Sequence, residues 1–280
     1  ESIFQLRNAI MDKSWPGAGH PKFNIPIIYY TDSTCYVANP TDKFLKQFKC
    51  ELKRETKKLS IYKTARIDSF PFHMECMLGE NEADYNYMLP YGRISGFDEV
   101  RKYAPQLSVR EWTGMVLHEL FHGYQLLHPQ YFKYVFDKKL AIRFINDSLQ
   151  SYYKNVDWYK KSIDQENDLI LQAIATNDNA ERKNLAIKMF ALRDDRRKQA
   201  ESTFDRPISF YEMGFETMEG TARYIESATI ENFQKAKFSK ELLRLDSNYR
   251  NALDKHESAY AESGYKTEAS MLYTYAIGYN

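Results

Sequence analysis

His118-Glu119-Leu120-Phe121-His122 constrains this chain more than any other stretch of its sequence. Two histidines four positions apart advance slightly more than one α-helical turn, so both imidazoles leave the same face. The helix they require is well signalled. Ser108-Val109-Arg110-Glu111 forms a capping-box pattern, which predicts a helix running from Ser108 through His122 and stopping before Pro129. Val116, Leu117, Leu120 and Phe121 give that helix an apolar side. Zinc takes neutral imidazole nitrogens, and two of them with one carboxylate leave a fourth position for water. Glu119 directly follows the first candidate ligand, where its carboxylate can serve as the general base for that water. With only 6 His in 280 residues, chance seldom produces this spacing around a glutamate.

A site of this type needs a third protein ligand, and the sequence offers two sources. His128 lies six residues beyond His122, the position of the third histidine in the metzincin pattern H-E-x-x-H-x-x-G-x-x-H. That pattern turns out of the helix at a glycine, and Gln125 stands there instead. A helix that simply continues carries His128 away from the ion. The second source is the helix opened by a further capping-box pattern, Ser209-Phe210-Tyr211-Glu212, and reaching about Ser227. Glu212, Glu216, Glu219, Arg223 and Glu226 advance there in steps of four and three, so they form one stripe. Such a stripe often faces solvent. Beside an unpartnered pair of imidazoles it becomes the better candidate.

Glu219-Gly220-Thr221-Ala222-Arg223-Tyr224-Ile225-Glu226 resembles the E-G-x-A-x-Y-x-E segment of the gluzincins related to aminopeptidase N and leukotriene A4 hydrolase. In that group an H-E-x-x-H helix is completed by a glutamate on a later helix. The resemblance therefore implies a zincin-like core with His118, His122 and Glu219 as ligands of Zn2+. It also implies a tyrosine donor for the oxyanion. Tyr275-Ala276-Ile277-Gly278 matches the family's Y-x-x-G setting and points to Tyr275, with Tyr273, Tyr265 and His256 as competitors. In zincins an edge strand ahead of the metal helix binds the substrate backbone, a role that falls here to Tyr85–Ile94. The departures limit what carries over. His122 and Glu219 are much farther apart than the corresponding family residues, and no G-x-M-E-N segment is present to bind a free amino terminus. Aminopeptidase specificity is therefore not implied.

The remainder of the chain predicts an α+β, predominantly helical protein. Positions 1–107 form an α+β lobe with a small sheet, and 108–280 form a helical lobe carrying the metal site. Strands are expected at Asn24–Tyr30, Ile61–Ile67 and Phe70–Leu78, with Tyr85–Ile94 at the sheet edge because it contains Pro90. A helix is expected over Thr41–Lys58. Amphipathic helices follow at Tyr131–Ser151, Asp164–Asn177 and Ala180–Ser202, then at Ser239–Asp246, Ala252–Glu262 and Glu268–Ile277.

A net charge of +1 provides no global attraction to nucleic acid. No stretch approaches the roughly eighteen continuous apolar residues of a membrane span. The three cysteines, Cys35, Cys50 and Cys76, match no zinc-binding spacing; either a Cys35–Cys76 bridge or free thiols fit. The sequence starts at Glu1 without a Met, which favours an extracytoplasmic or secreted setting. These readings converge on a zinc metallopeptidase acting on a peptide or protein substrate. The alternative is a zincin-like module that binds zinc without catalysis.

Overall fold

The computed structural model describes residues 2–56, 59–77, 90–131 and 142–233. These residues divide into two compact units. The first is drawn from positions 1–133 and 225–256, the second from 134–224 and 257–280. The fold is mixed α+β and mostly helical, with a six-stranded sheet in the N-terminal part followed by helical segments.

In the first unit, α1 (Ser2–Leu6), a π-helical stretch (Arg7–Met11) and α2 (Asp12–Ser14) precede the sheet. Its strands are β1 (Ile27–Tyr30), β2 (Thr34–Ala38), β3 (Glu51–Glu55), β4 (Ser60–Ala65), β5 (Met74–Met77) and β6 (Tyr91–Ser95), in the order β3-β4-β2-β1-β6-β5. β1 and β6 are parallel, and every other pair is antiparallel. Alternation along the strands separates two faces. Ile28, Tyr30, Cys35 and Val37 pack with Phe44 of α3 (Asp42–Phe48) on one of them. Beyond β6, α4 (Phe97–Arg101) leads to α5 (Val109–Leu126), which packs on β5 and β6. Trp112 of α5 donates its indole N–H to the Ser95 carbonyl at 3.1 Å, and Trp15 meets Phe121 edge-on at 5.4 Å.

Several expectations are corrected. The helix expected over Thr41–Lys58 stops at Phe48, because Lys49 turns left-handed at φ 47°. The chain then forms β3, whose Glu, Lys and Arg side chains suit an exposed edge. Tyr85–Ile94 is not an edge strand. Its described part belongs to β6, which pairs with β1 on one side and β5 on the other, so β5 takes the edge among the described residues. All three cysteines are free thiols. The helices expected at Ser239–Asp246, Ala252–Glu262 and Glu268–Ile277 lie outside the described residues.

The second unit contains α6 (Ile142–Asn155), α7 (Asp157–Ala175), α8 (Asn179–Phe204), α9 (Ile208–Phe215) and a π-helical segment, Glu216–Gly220, and it takes the start of α10 (Thr221–Asn232), whose residues from Ile225 onward belong to the first unit. Asp178 caps α8 by accepting from the amides of Ala180 and Glu181. Leu149, Tyr153, Tyr159, Ile163, Ala200, Ile208 and Phe215 form its apolar core. Beside that core lies a buried ionic network. Arg196 bonds Glu166 and reaches Glu212 at 2.6 and 2.9 Å, Arg197 reaches Glu212 at 2.7 Å, and the Tyr159 hydroxyl donates to Glu212 at 2.6 Å. Glu212 is therefore not a helix cap. α9 starts at Ile208 after Pro207, and the Ser209 amide donates to Glu201 instead. Among the described residues no helix is long and apolar enough to cross a membrane.

Two predictions follow from the network's burial. Arg196→Met takes one guanidinium from two carboxylates whose side chains are 0% exposed, leaving Glu166 to Arg193 and Glu212 to Arg197, and should cost about 3 kcal/mol in urea unfolding. Burial pushes the Glu212 carboxyl up, but the charges of Arg196 and Arg197 and the Tyr159 hydroxyl outweigh it and hold the group at about 2, below its ordinary 4.5. The unfolded chain thus binds this proton more readily than the folded one. The resulting stability is present above pH 4.5 and is lost as pH falls toward about 2. Urea midpoints followed by far-UV circular dichroism across that window should fall in the native chain, and fall less in a Glu212→Gln chain.

Candidate metal centre

The site begins with the helix that carries it. Ser108 accepts from the Glu111 amide at 3.1 Å, and Glu111 accepts from the Ser108 amide at 2.8 Å, closing the predicted capping box. α5 is then fixed from two sides by close packing within the first unit. A Cβ on Gly123 would lie 2.5 Å from Ile25 Cδ1, and one on Gly114 would lie 2.8 Å from Ile230 Cγ1 and 3.2 Å from Glu226 Cγ. Only glycine permits these approaches. Arg110 adds a bond from Nε to the Ile230 carbonyl at 2.7 Å.

One turn after Gly114 comes His118, which is 5% exposed, while Glu119 and His122 are half-buried. Their candidate ligand atoms all lie within 4.8 Å of one another. The imidazole planes stand at 84°, and the two Nε2 atoms are 3.0 Å apart. What surrounds the other ring nitrogens gives this distance its meaning. His118 Nδ1 lies 3.0 Å from Glu226 Oε2, and His122 Nδ1 lies 2.9 Å from Gln125 Oε1. Both partners are acceptors, so each Nδ1 carries a hydrogen, and in the neutral rings each Nε2 presents a lone pair. Two lone pairs pointed at each other across 3.0 Å repel unless a cation lies between them. A shared proton can fill that role. So can a divalent ion, since tetrahedral zinc with bonds of about 2.05 Å separates its two nitrogens by about 3.3 Å. The donor set thus fits a metal, and a carboxylate behind a ligating histidine is the usual orienting partner.

The Cys76 thiol of β5 is pushed well up, first by burial and then by the negative charges of Glu119 and Glu75. The strand at the sheet edge and the carboxylate between the two histidines are therefore electrostatic neighbours.

The structure brings together His118, Glu119 and His122 of the residues singled out in the sequence. His128 is not among them. It stacks on Phe23 at 5.1 Å and meets Tyr124 edge-on at 4.7 Å, because α5 continues through Gln125 without the turn a glycine would provide. Glu219 is half-buried on the π-helical segment of the second unit. Tyr275, Tyr273, Tyr265 and His256 lie outside the described residues. Two contributors escaped the sequence reading. Glu226 stood in the carboxylate stripe without a role, and its closing place in the E-G-x-A-x-Y-x-E segment was the available signal. Gln125 stands where the metzincin pattern has glycine, and the signal for its role is its spacing, since three residues beyond His122 is hydrogen-bonding distance on a helix.

Replacing Glu226 with Ala should free the His118 ring and weaken divalent-metal binding by about 10–100-fold. Competition with a chromophoric chelator measures this directly, and unchanged affinity would remove Glu226 from the centre. The chain matches no protein-family model, no curated protein and no solved structure.

Proposed function

We propose that this chain is a zinc metallopeptidase of gluzincin type, with His118, His122 and Glu219 as ligands and Glu119 as general base. The observation that carries the reading is the convergence of two Nε2 lone pairs beside a half-buried carboxylate, each imidazole held by an acceptor at Nδ1.

Glu219 is assigned as third ligand by its place in the E-G-x-A-x-Y-x-E segment. Glu219 precedes Glu226 by about two helical turns, a spacing that suits one helix supplying both a ligand and the carboxylate that orients another ligand. Gly220 and Ala222, flanking it, are buried and small.

A bound zinc ion makes water acidic enough to ionise near neutral pH and polarises a carbonyl. The chain's own residues supply the rest. Glu119 takes the proton from the attacking water and returns it to the departing amine. β5, at the sheet edge among the described residues, is the strand on which an extended peptide would add, and its Cys76 lies close enough to Glu119 for that carboxylate to disfavour the thiolate. Tyr275 is the assigned hydrogen-bond donor to the developing oxyanion, on the resemblance alone. Peptides or proteins are the substrate class this arrangement suits.

Screening the zinc-loaded chain against a mixed peptide library tests the reading. Cleavage is expected, and Glu119→Gln should keep the metal while lowering the rate by about 10²–10⁴-fold. Cleavage that survives in Glu119→Gln contradicts the assigned base. Absence of cleavage by the native chain at every pH makes the site a non-catalytic zinc-binding module.

A further inference from the structure

His118 and His122 share a helix but not their supports. His118 lies against α10, whose Glu226 reaches its Nδ1 and whose Ile230 packs on Gly114 one turn earlier. His122 sits on the next turn, which is braced instead by the chain ahead of the sheet. Phe121 meets Trp15 edge-on at 5.4 Å, Ile25 fills the space beside Gly123, and Tyr124 meets Phe23 edge-on at 4.7 Å. Phe121 and Gly123 lie about 100° to either side of His122 around the helix. The His122 ring therefore projects between two braced flanks.

Trp15 and Phe23 can act as braces only if the chain between them is fixed, and Arg7 fixes it. Arg7 is 1% exposed. Its Nη2 donates to the carbonyls of Ala18 at 2.7 Å and His20 at 3.3 Å, and its Nη1 donates to the carbonyl of Gly19 at 3.1 Å and to Asn8 Oδ1 at 3.2 Å. Burial lowers its pKa to about 10 against the opposing charge of Asp12, so the group stays charged at neutral pH and its bonds are charge-assisted. A planar fork with several donors can address three successive carbonyls at once. The same turn is tightened from within. Gly17 takes φ 88° and donates to Asp12 Oδ1 at 2.9 Å, and a Cβ on Gly19 would lie 2.6 Å from Asp12 Cβ.

We infer that Arg7 is a positioning residue for the metal centre, holding residues 15–20 so that Trp15 and Phe23 brace the His122 turn of α5. The inference rests on His122 being a metal ligand, as under the proposed function. Two rings that share an ion must be placed to within about 0.5 Å. A helix braced at only one ligand turn is free to roll there and carry the second ring out of place. The centre is thus set from two directions, His118 by α10 and His122 by the first 25 residues.

A double-mutant cycle of Arg7→Met and His122→Ala tests this. Zinc affinity is measured by chelator competition, the ligand field by visible absorption of the cobalt-loaded chain, and folding by circular dichroism and thermal unfolding. Arg7→Met should keep its helical signal, bind zinc about 10-fold more weakly and alter the cobalt spectrum. Arg7→Lys, which keeps the charge, should recover part of the loss. Added to His122→Ala, Arg7→Met should change zinc affinity no further, because the ring it positions is gone. Should Arg7→Met fail to fold, Trp15→Leu takes its place in the cycle. Native affinity and spectrum in the folded single variant, or an equal loss in both backgrounds, overturns the positioning role and leaves His122 as a ligand. Native affinity in His122→Ala overturns the ligand assignment and the inference with it.

Discussion

Two imidazole nitrogens held 3.0 Å apart, with their lone pairs toward each other, are unfavourable neighbours without a positive charge between them. Much of the first unit can be read as the means of imposing that arrangement. The capping box starts α5 at a fixed residue, so His118 and His122 fall on one face. Gly114 and Gly123 let the helix lie against Ile230 and Ile25 without side chains of their own intervening. Glu226 and Gln125 then take the outer nitrogens and fix which inner ones are free to bind. Each feature is modest alone. Together they specify a place where a cation lowers the energy of a geometry the fold has already set.

The parts of this centre that the sequence made legible were those governed by local periodicity. A spacing of four on a capped helix predicts a shared face, and His118, Glu119 and His122 do come together. The charged tract from Thr41 to Lys58 misled for the same reason. Its Glu, Lys, Arg and Leu residues favour helix locally, yet pairing of Glu51–Glu55 with β4 gives those residues a sheet edge instead. The Ser209 pattern misled because a capping box and a buried ion-pair partner look alike in sequence. Only the chain fold shows that Glu212 faces Arg196 and Arg197 rather than its own helix start. The π turn left no trace that periodicity could detect, since it consists of one residue more than an α turn holds.

The second unit solves a different problem. Three arginines and three glutamates share a mostly dry environment, and each carboxylate there is offset by guanidinium charge. Such a network adds little stability compared with an apolar core of equal volume, but it admits few alternative packings. Helices packed on an apolar core, with aromatic contacts around Tyr159 and Phe204, make up the unit's bulk. The ionic network reaches Glu216, where regular helix gives way to the π-helical segment.

X-ray absorption at the zinc edge of the metal-loaded chain addresses the central claim most directly. The account predicts one zinc per chain, nitrogen and oxygen neighbours at about 2.0–2.2 Å, and the outer-shell scattering of two imidazoles, reduced to one in His122→Ala. A chain that retains no stoichiometric metal, or a spectrum whose imidazole scattering is unchanged by that substitution, would contradict it.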